Sequence, residues 1–234
     1  MTTIAKRMQA IQGRIRDAAE SAGRAPESVQ LLAVSKTHAA DELRLAFEAG
    51  QRAFGESYLQ EALDKIAVLS NLLIEWHFIG PIQSNKTRPI AEHFAWVHGV
   101  DRLKIAQRLS EARPTGLPPL NVCLQVNVSG EASKSGCTPD AVPTLAHAVA
   151  ALPRLRLRGL MTIPEPTNDI ALQHRQFRML SGLQEALKRE GLALDTLSMG
   201  MSDDFPAAIA EGATIVRLGT AIFGQRQNKT AMED

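Results

Sequence analysis

The sequence is short of unbalanced charge, of cysteine and of long apolar runs, and each shortage closes a class of function. Lysine and arginine total 26 against 25 aspartates and glutamates, a formal charge of +1. That balance gives no electrostatic reason to expect DNA or RNA as a partner. No apolar run approaches the ~18 residues that would span a bilayer, so no membrane is expected. Only two cysteines occur, Cys123 and Cys137, in neither the spacing of a zinc site nor the number of a disulfide scaffold. Two incidental thiols fit a reducing, cytoplasmic setting. No His/Asp/Glu cluster has metal-ligand spacing, so no metal is expected. Lys6 and Arg7 precede no apolar stretch of the kind a secretory signal needs. No Gly/Ser/Pro-rich linker divides the chain, and Arg113–Pro119 (RPTGLPP) reads as a helix-to-strand loop. One domain over residues 1–234 is the expectation.

What remains is an ordinary globular composition, 44% hydrophobic and 22% charged, in which short apolar runs alternate with longer helical patterns. The spacing predicts strands at Leu31–Ser35, Ala53–Gly55, Trp76–Ile79, Ala95–Val97, Val122–Val128, Leu157–Met161, Leu194–Ser198 and Thr214–Leu218. Helical patterns fall at 40–49, 60–69, 103–112, 139–151, 170–189 and 206–211, and Gly50, Gly191 and Gly212 follow three of them as left-handed caps. Ile4, Met8, Ile11 and Ile15 mark an extra amphipathic helix at the N-terminus. Strict alternation implies parallel pairing through right-handed crossovers. Eight units in 234 residues average about 29 each, close to the ~30 of a βαβ step. A single (β/α)8 TIM-type barrel is expected. A doubly wound open sheet is the rival, disfavoured because no GxGxxG follows the first strand.

In such a barrel the site gathers where the strands end. Lys36 follows the first strand directly, facing the barrel mouth, where desolvation favours a free amine suited to Schiff-base chemistry. A surface or ion-paired lysine is the alternative. The loops after strands seven and eight, where barrels frequently bind phosphate, offer Gly200, Gly219 and Gly224 with the hydroxyls of Ser202 and Thr220. These glycines could equally just make tight turns. An amine opposite a phosphate site suggests either a sugar-phosphate aldolase or pyridoxal 5′-phosphate. Arg217, if it points inward, needs an acceptor: an unprotonated pyridine nitrogen would serve, as would Glu211 or Asp204 in a salt bridge. His77 reads as a satisfied core histidine, and Asp203 and Asp204 as a helix cap.

Six runs carry a family resemblance: LLAVSKTH (31–38), AFGESYLQE (53–61), WHFIGPIQSNK (76–86), GLMTI (159–163), LSMGMSDDF (197–205) and VRLGTAIFG (216–224). Over about residues 4–226 the chain resembles the pyridoxal phosphate homeostasis proteins, the YggS or PROSC-like proteins related to the barrel domain of alanine racemase. The resemblance implies a pyridoxal 5′-phosphate-binding monomer acting as a carrier or buffer of the cofactor, with apo pyridoxal-phosphate enzymes as recipients and no established turnover. It implies that Lys36 forms the aldimine and that Arg217 meets the pyridine nitrogen. Ser202, Gly219 and Thr220 would hold the phosphate, and Ser57, His77 and Met201 would complete the cofactor-binding set. One departure is visible: the family usually reads Gly-Glu-Asn where this chain has Gly55-Glu56-Ser57, so Ser57 reaches less far towards the ring or works through a water. The alternative is a pyridoxal-phosphate-dependent amino-acid racemase. The related racemases use a tyrosine from a second domain, and this chain runs only about ten residues past Gly224, so that domain is expected to be absent.

Overall fold

Eight short strands, each buried on both faces, need helices outside and side chains inside to cover them, and the chain supplies both. The computed structural model describes residues 2–131 and 134–225. The single domain expected over 1–234 therefore extends, at residue 1, residues 132–133 and from 226 on, outside the described residues. The strands are β1 (Gln30–Val34), β2 (Ala53–Glu56), β3 (Glu75–Phe78), β4 (Trp96–Val100), β5 (Leu120–Gln125), β6 (Leu155–Met161), β7 (Thr196–Ser198) and β8 (Ile215–Leu218). They pair in sequence order as a closed barrel. All neighbours are parallel, and β1 joins β8 at Leu32↔Arg217 and Ala33↔Leu218. The expected TIM-type fold is the observed one.

The helices are α1 (Thr3–Ser21), α2 (Ala40–Glu48), α3 (Leu59–Val68), α4 (Thr87–His93), α5 (Leu103–Ala112), α6 (Val142–Ala150), α7 (Ile170–Arg189), α8 (Phe205–Ala210) and α9 (Thr220–Phe223). In α1, Ile4, Met8, Ile11, Ile15 and Ala19 are buried, the stripe read from the sequence. Thr2 caps this helix and Asp169 caps α7, each accepting a first-turn N–H. Gly50, Gly191 and Gly212 all have φ between +94° and +100°, as left-handed caps require. Several elements differ from expectation: β5 ends at Gln125 rather than Val128, and the four-residue α9 has no counterpart in the pattern. Helix α4 is only seven residues long and carries Pro89 in its first turn, so it has too few periodic positions to show. Strand β4 runs on through His98 and Gly99 to Val100, all buried. A polar residue and a glycine ended the apolar run early.

The main core lies between sheet and helices. Inside the barrel two small apolar clusters stand apart from it, Leu32–Ala53–Ile215 and Trp96–Cys123–Met161. Between them the interior is polar: His77, His98, Ser198 and Arg217 are all buried there. Burial pushes the Cys123 thiol up to about 12, so it is an inert core group. Cys137 is also free, and no helix among the described residues is long and apolar enough to cross a membrane.

Candidate active site at the barrel mouth

Ring closure sets the neighbours at the mouth: β7, β8, β1 and β2 are consecutive. The ends of these four strands carry Ser202 and Met201, then Arg217, Gly219 and Thr220, then Lys36, then Ser57. His77 belongs to β3, the next strand round. One sector of the mouth thus gathers residues that lie nearly the whole chain apart. Gly219 makes part of this possible. A Cβ there would sit 2.9 Å from the Val34 carbonyl oxygen, so a side chain would push the β8 end off the β1 end. Gly80 does the same between β3 and β2, where a Cβ would lie 2.4 Å from the Ser57 carbonyl oxygen.

Lys36 is half-buried and sits in a braced turn. The His38 N–H donates to the Ser35 carbonyl at 3.1 Å, enclosing Lys36 and Thr37. Thr37 has φ +69°, an unusual conformation for a β-branched residue. It is held there from outside. The Thr37 N–H donates to Glu61 Oε1 at 2.6 Å. Lys65 Nζ donates to the Ser35 carbonyl at 2.7 Å, to Glu56 Oε1 at 2.8 Å and to Glu61 Oε1 at 2.5 Å. The Ser35 hydroxyl donates to the same Glu56 oxygen at 2.7 Å. The residues on both sides of Lys36 are therefore clamped by one buried ion cluster. Burial raises the Glu56 carboxyl, against the pull of the Lys65 ammonium.

Arg217 points into the barrel, as the alternation along β8 allowed. Its Nη1 donates to Ser198 Oγ and its Nη2 to the Thr162 carbonyl, each at 2.8 Å. Neither Glu211 nor Asp204 forms a salt bridge with it. Glu211 instead takes Arg178 and His174. Burial brings Arg217 down to about 10, which still leaves it charged at neutral pH. Two of its five N–H groups are spent on these acceptors, leaving donors for a ligand. In the loop after β7, Asp204 does not cap α8 as the sequence suggested. Its carboxylate reaches back to accept from the Met201 N–H at 2.6 Å, closing the turn that carries Ser202. Thr220 opens α9, whose first N–H groups have no partner within the helix.

The model of the alanine racemase N-terminal domain matches residues 7–227. A Pseudomonas aeruginosa protein named pyridoxal phosphate homeostasis protein is 67% identical over 226 residues, 97% of each chain. This chain belongs to the pyridoxal phosphate homeostasis protein family. Among solved structures, PipY of Synechococcus elongatus with PLP bound superimposes with a TM-score of 0.83 at 37% identity, over 95% of this chain and all of PipY. Alanine racemase of Corynebacterium glutamicum shares the fold, with a TM-score of 0.69 at 19% identity, over 93% of this chain and 61% of the racemase.

The donor set of this homeostasis-family barrel fits pyridoxal 5′-phosphate group by group. An amine suits an aldehyde, a charged guanidinium with unspent donors suits a pyridine nitrogen, and two hydroxyls beside a helix start suit a phosphate. Three residues around the site escaped the sequence reading. Lys65 resembles a surface lysine paired with Glu61 at i,i+4, yet it shares the inward face of α3 with Ala62, and that spacing was a usable signal. His98 was lost with the end of β4. Glu75, at the first position of β3, looks like any charged strand terminus.

Proposed function

We propose that the chain is an intracellular carrier of pyridoxal 5′-phosphate that holds the cofactor covalently on Lys36 and releases it to apoenzymes. The observation that carries this is the convergence of Lys36, Arg217 and the Ser202 and Gly219–Thr220 loops on one sector of the mouth, made by the β8–β1 closure. Bound there, the cofactor supplies a reactive aldehyde. Lys36 Nζ would hold that aldehyde by condensation, with loss of one water, and would give it up to another amine by exchange without hydrolysis. Arg217 would donate a hydrogen bond to the ring nitrogen and, as a far weaker acid than a pyridinium, would keep its proton. The Ser202 and Thr220 hydroxyls and the Gly219 backbone hold the phosphate. Ser57 and Met201 flank the ring, and His77 lies one layer below them, its two nitrogens engaged with His98 and Glu75.

A ring nitrogen left neutral is a poor electron sink, so bound amino acids are not expected to lose their α-proton at enzymatic rates. The free cysteines support a cytoplasmic setting, and we propose a monomer. The test is the absorbance of the protein loaded with pyridoxal phosphate, followed by borohydride reduction and peptide mapping. The pyridoxyl group is expected on Lys36, and Lys36→Ala is expected to lose the absorbance while staying folded, at a cost of about 1–2 kcal/mol. Label recovered mainly on Lys86 or Lys134 would refute the assignment. The racemase reading is tested by incubating the loaded protein with L-alanine in deuterated water. Exchange at ~1 per second or faster, lost in Lys36→Ala, would replace the carrier with an enzyme.

A further inference from the structure

A line of hydrogen bonds crosses the barrel interior from floor to mouth. At the floor, Glu75 Oε1 lies 2.9 Å from His77 Nε2. His77 Nδ1 lies 2.9 Å from His98 Nε2. His98 Nδ1 lies 2.8 Å from Ser198 Oγ, which accepts from Arg217 Nη1 at 2.8 Å. Everything between the two ends is buried: His77, His98 and Ser198 are each 0% exposed. Trp96 stacks flat on His77, with ring centroids 5.4 Å apart. Arg158 covers the other indole neighbourhood, 4.6 Å from the Trp96 ring centroid.

The direction of this line follows from its ends. A carboxylate can only accept, so His77 must carry its proton on Nε2. A neutral His77 then presents a bare Nδ1, which obliges His98 to carry its proton on Nε2. A neutral His98 presents a bare Nδ1, which obliges the Ser198 hydroxyl to donate. Its lone pairs are then left for Arg217, and a guanidinium can only donate. The Arg217 end alone leaves the order open, since the Ser198 hydroxyl has two lone pairs and could accept from both Arg217 and His98; the Glu75 end decides it. Burial disfavours the imidazolium form of both rings, His98 most strongly, so the neutral assignment holds. Had either ring been charged, Ser198 or a histidine nitrogen would face a second donor.

We propose that Glu75 is a positioning residue for Arg217, acting through His77, His98 and Ser198, so that the barrel floor fixes which way the guanidinium presents its remaining N–H groups at the mouth. The inference rests on the proposed function, because it assigns those groups to the pyridine nitrogen. It does not make Glu75 or His77 catalytic. It gives His77, read from the sequence as a satisfied core histidine, the part of an internal link.

The test uses the full chain labelled with 15N-histidine, first without pyridoxal phosphate. Ring nitrogen shifts and couplings are expected to show His77 and His98 neutral and both protonated on Nε2. Glu75→Leu removes the terminal acceptor, and Glu75→Gln offers a milder change in case the first does not fold, since a carboxamide can accept or donate. In either variant both histidines are expected to populate mixed tautomers. Pyridoxal phosphate binding, followed by absorbance, is expected to weaken roughly two- to tenfold, the range of one hydrogen bond. An Nδ1–H tautomer at either wild-type ring would overturn the proposal. So would a folded Glu75→Leu variant that keeps single tautomers, or either variant that changes tautomers yet binds the cofactor with wild-type affinity and absorbance maximum. A wild-type protein that takes up no pyridoxal phosphate would instead overturn the proposed function and with it the purpose given to Arg217. The tautomers would then still report on the chain of bonds by itself.

Discussion

Replacing Lys65 by methionine separates the clamp on Lys36 from the fold around it. Lys65 is 5% exposed, and its three ammonium protons meet three acceptors: the Ser35 carbonyl, Glu56 and Glu61. Methionine fills much the same volume but leaves two carboxylates facing each other, one of them with Oε2 already unpartnered. Breaking a buried ion pair from one side costs about 3–5 kcal/mol. For a chain of this size that is a fall of roughly 6–20 °C in Tm, from about 2–4 °C per kcal/mol. The fall is capped by Glu56, whose carboxyl is already raised by burial and can take up a proton when its cation is gone. The double variant Lys65→Met/Glu56→Gln removes the fully buried pair, leaves only the part-exposed Glu61 carboxylate, and is expected to recover most of the stability, as paired replacements commonly do. It should not recover cofactor binding, since the Ser35 carbonyl and the Thr37 turn have lost their brace. Thermal unfolding and pyridoxal phosphate titration, both below the lowered transition, give the two readings. A Lys65→Met protein within about 1 kcal/mol of wild type would refute the energetic argument. A stable double variant with wild-type affinity would refute the bracing of Lys36.

Ser202→Ala and Thr220→Ala are each expected to weaken pyridoxal phosphate binding by about 1–3 kcal/mol while leaving the binding of phosphate-free pyridoxal unchanged; equal losses for both ligands would show that these loops do not hold the anion. Acid is expected to destabilise the fold early. His77 and His98 are held below 6.5 by burial. The unfolded chain therefore takes up protons that the folded chain refuses once the pH drops beneath 6.5, and stability falls with pH from there towards the folded values. The slope is up to about 1.4 kcal/mol per pH unit for each histidine. Urea unfolding at pH 7.5, 6.5 and 5.5 checks this, and a flat profile across that range would count against two neutral buried rings. Glu75 adds a later loss, because its hydrogen bond with His77 lowers its carboxyl beneath 4.5 and that stabilisation disappears only as the pH falls through the lowered value.

The fold was legible because eight apolar runs at even spacing admit few architectures, and the placing of Lys36 and Arg217 at the mouth was legible because each sits at a strand end in a short distinctive run. Most of what stayed hidden shares a physical cause. Lys65 and His98 are buried ionisable residues whose partners come mostly from other strands, so nothing in their own neighbourhood announces burial; Glu75 is an exposed strand end whose partner His77 stands two residues on in the same strand. A lysine on a helix with glutamate four residues before it is usually solvated. Only the inward face of α3 separates Lys65 from that pattern. Asp204 shows the converse: its position at the start of α8 is that of a cap, but the backbone turns so that its carboxylate serves Met201 instead.

The seam between β1 and β8 has a consequence for how the protein comes into being. Lys36 leaves the ribosome early, while Arg217, Gly219 and Thr220 emerge near the end, and these meet only across Ala33↔Leu218 and its neighbouring pairs. Until that last strand docks, the first strand has an open edge and Lys36 has neither Gly219 nor Thr220 beside it. Closing a ring over so long a loop is an intrinsically slow step, since the entropy of closure must be met before the contacts reward it. A ligand that spans the seam binds the finished barrel and not its precursors, and so draws the closed state forward by mass action. Such a ligand would act after the seam has first shut, holding it closed against reopening, rather than on how fast it closes.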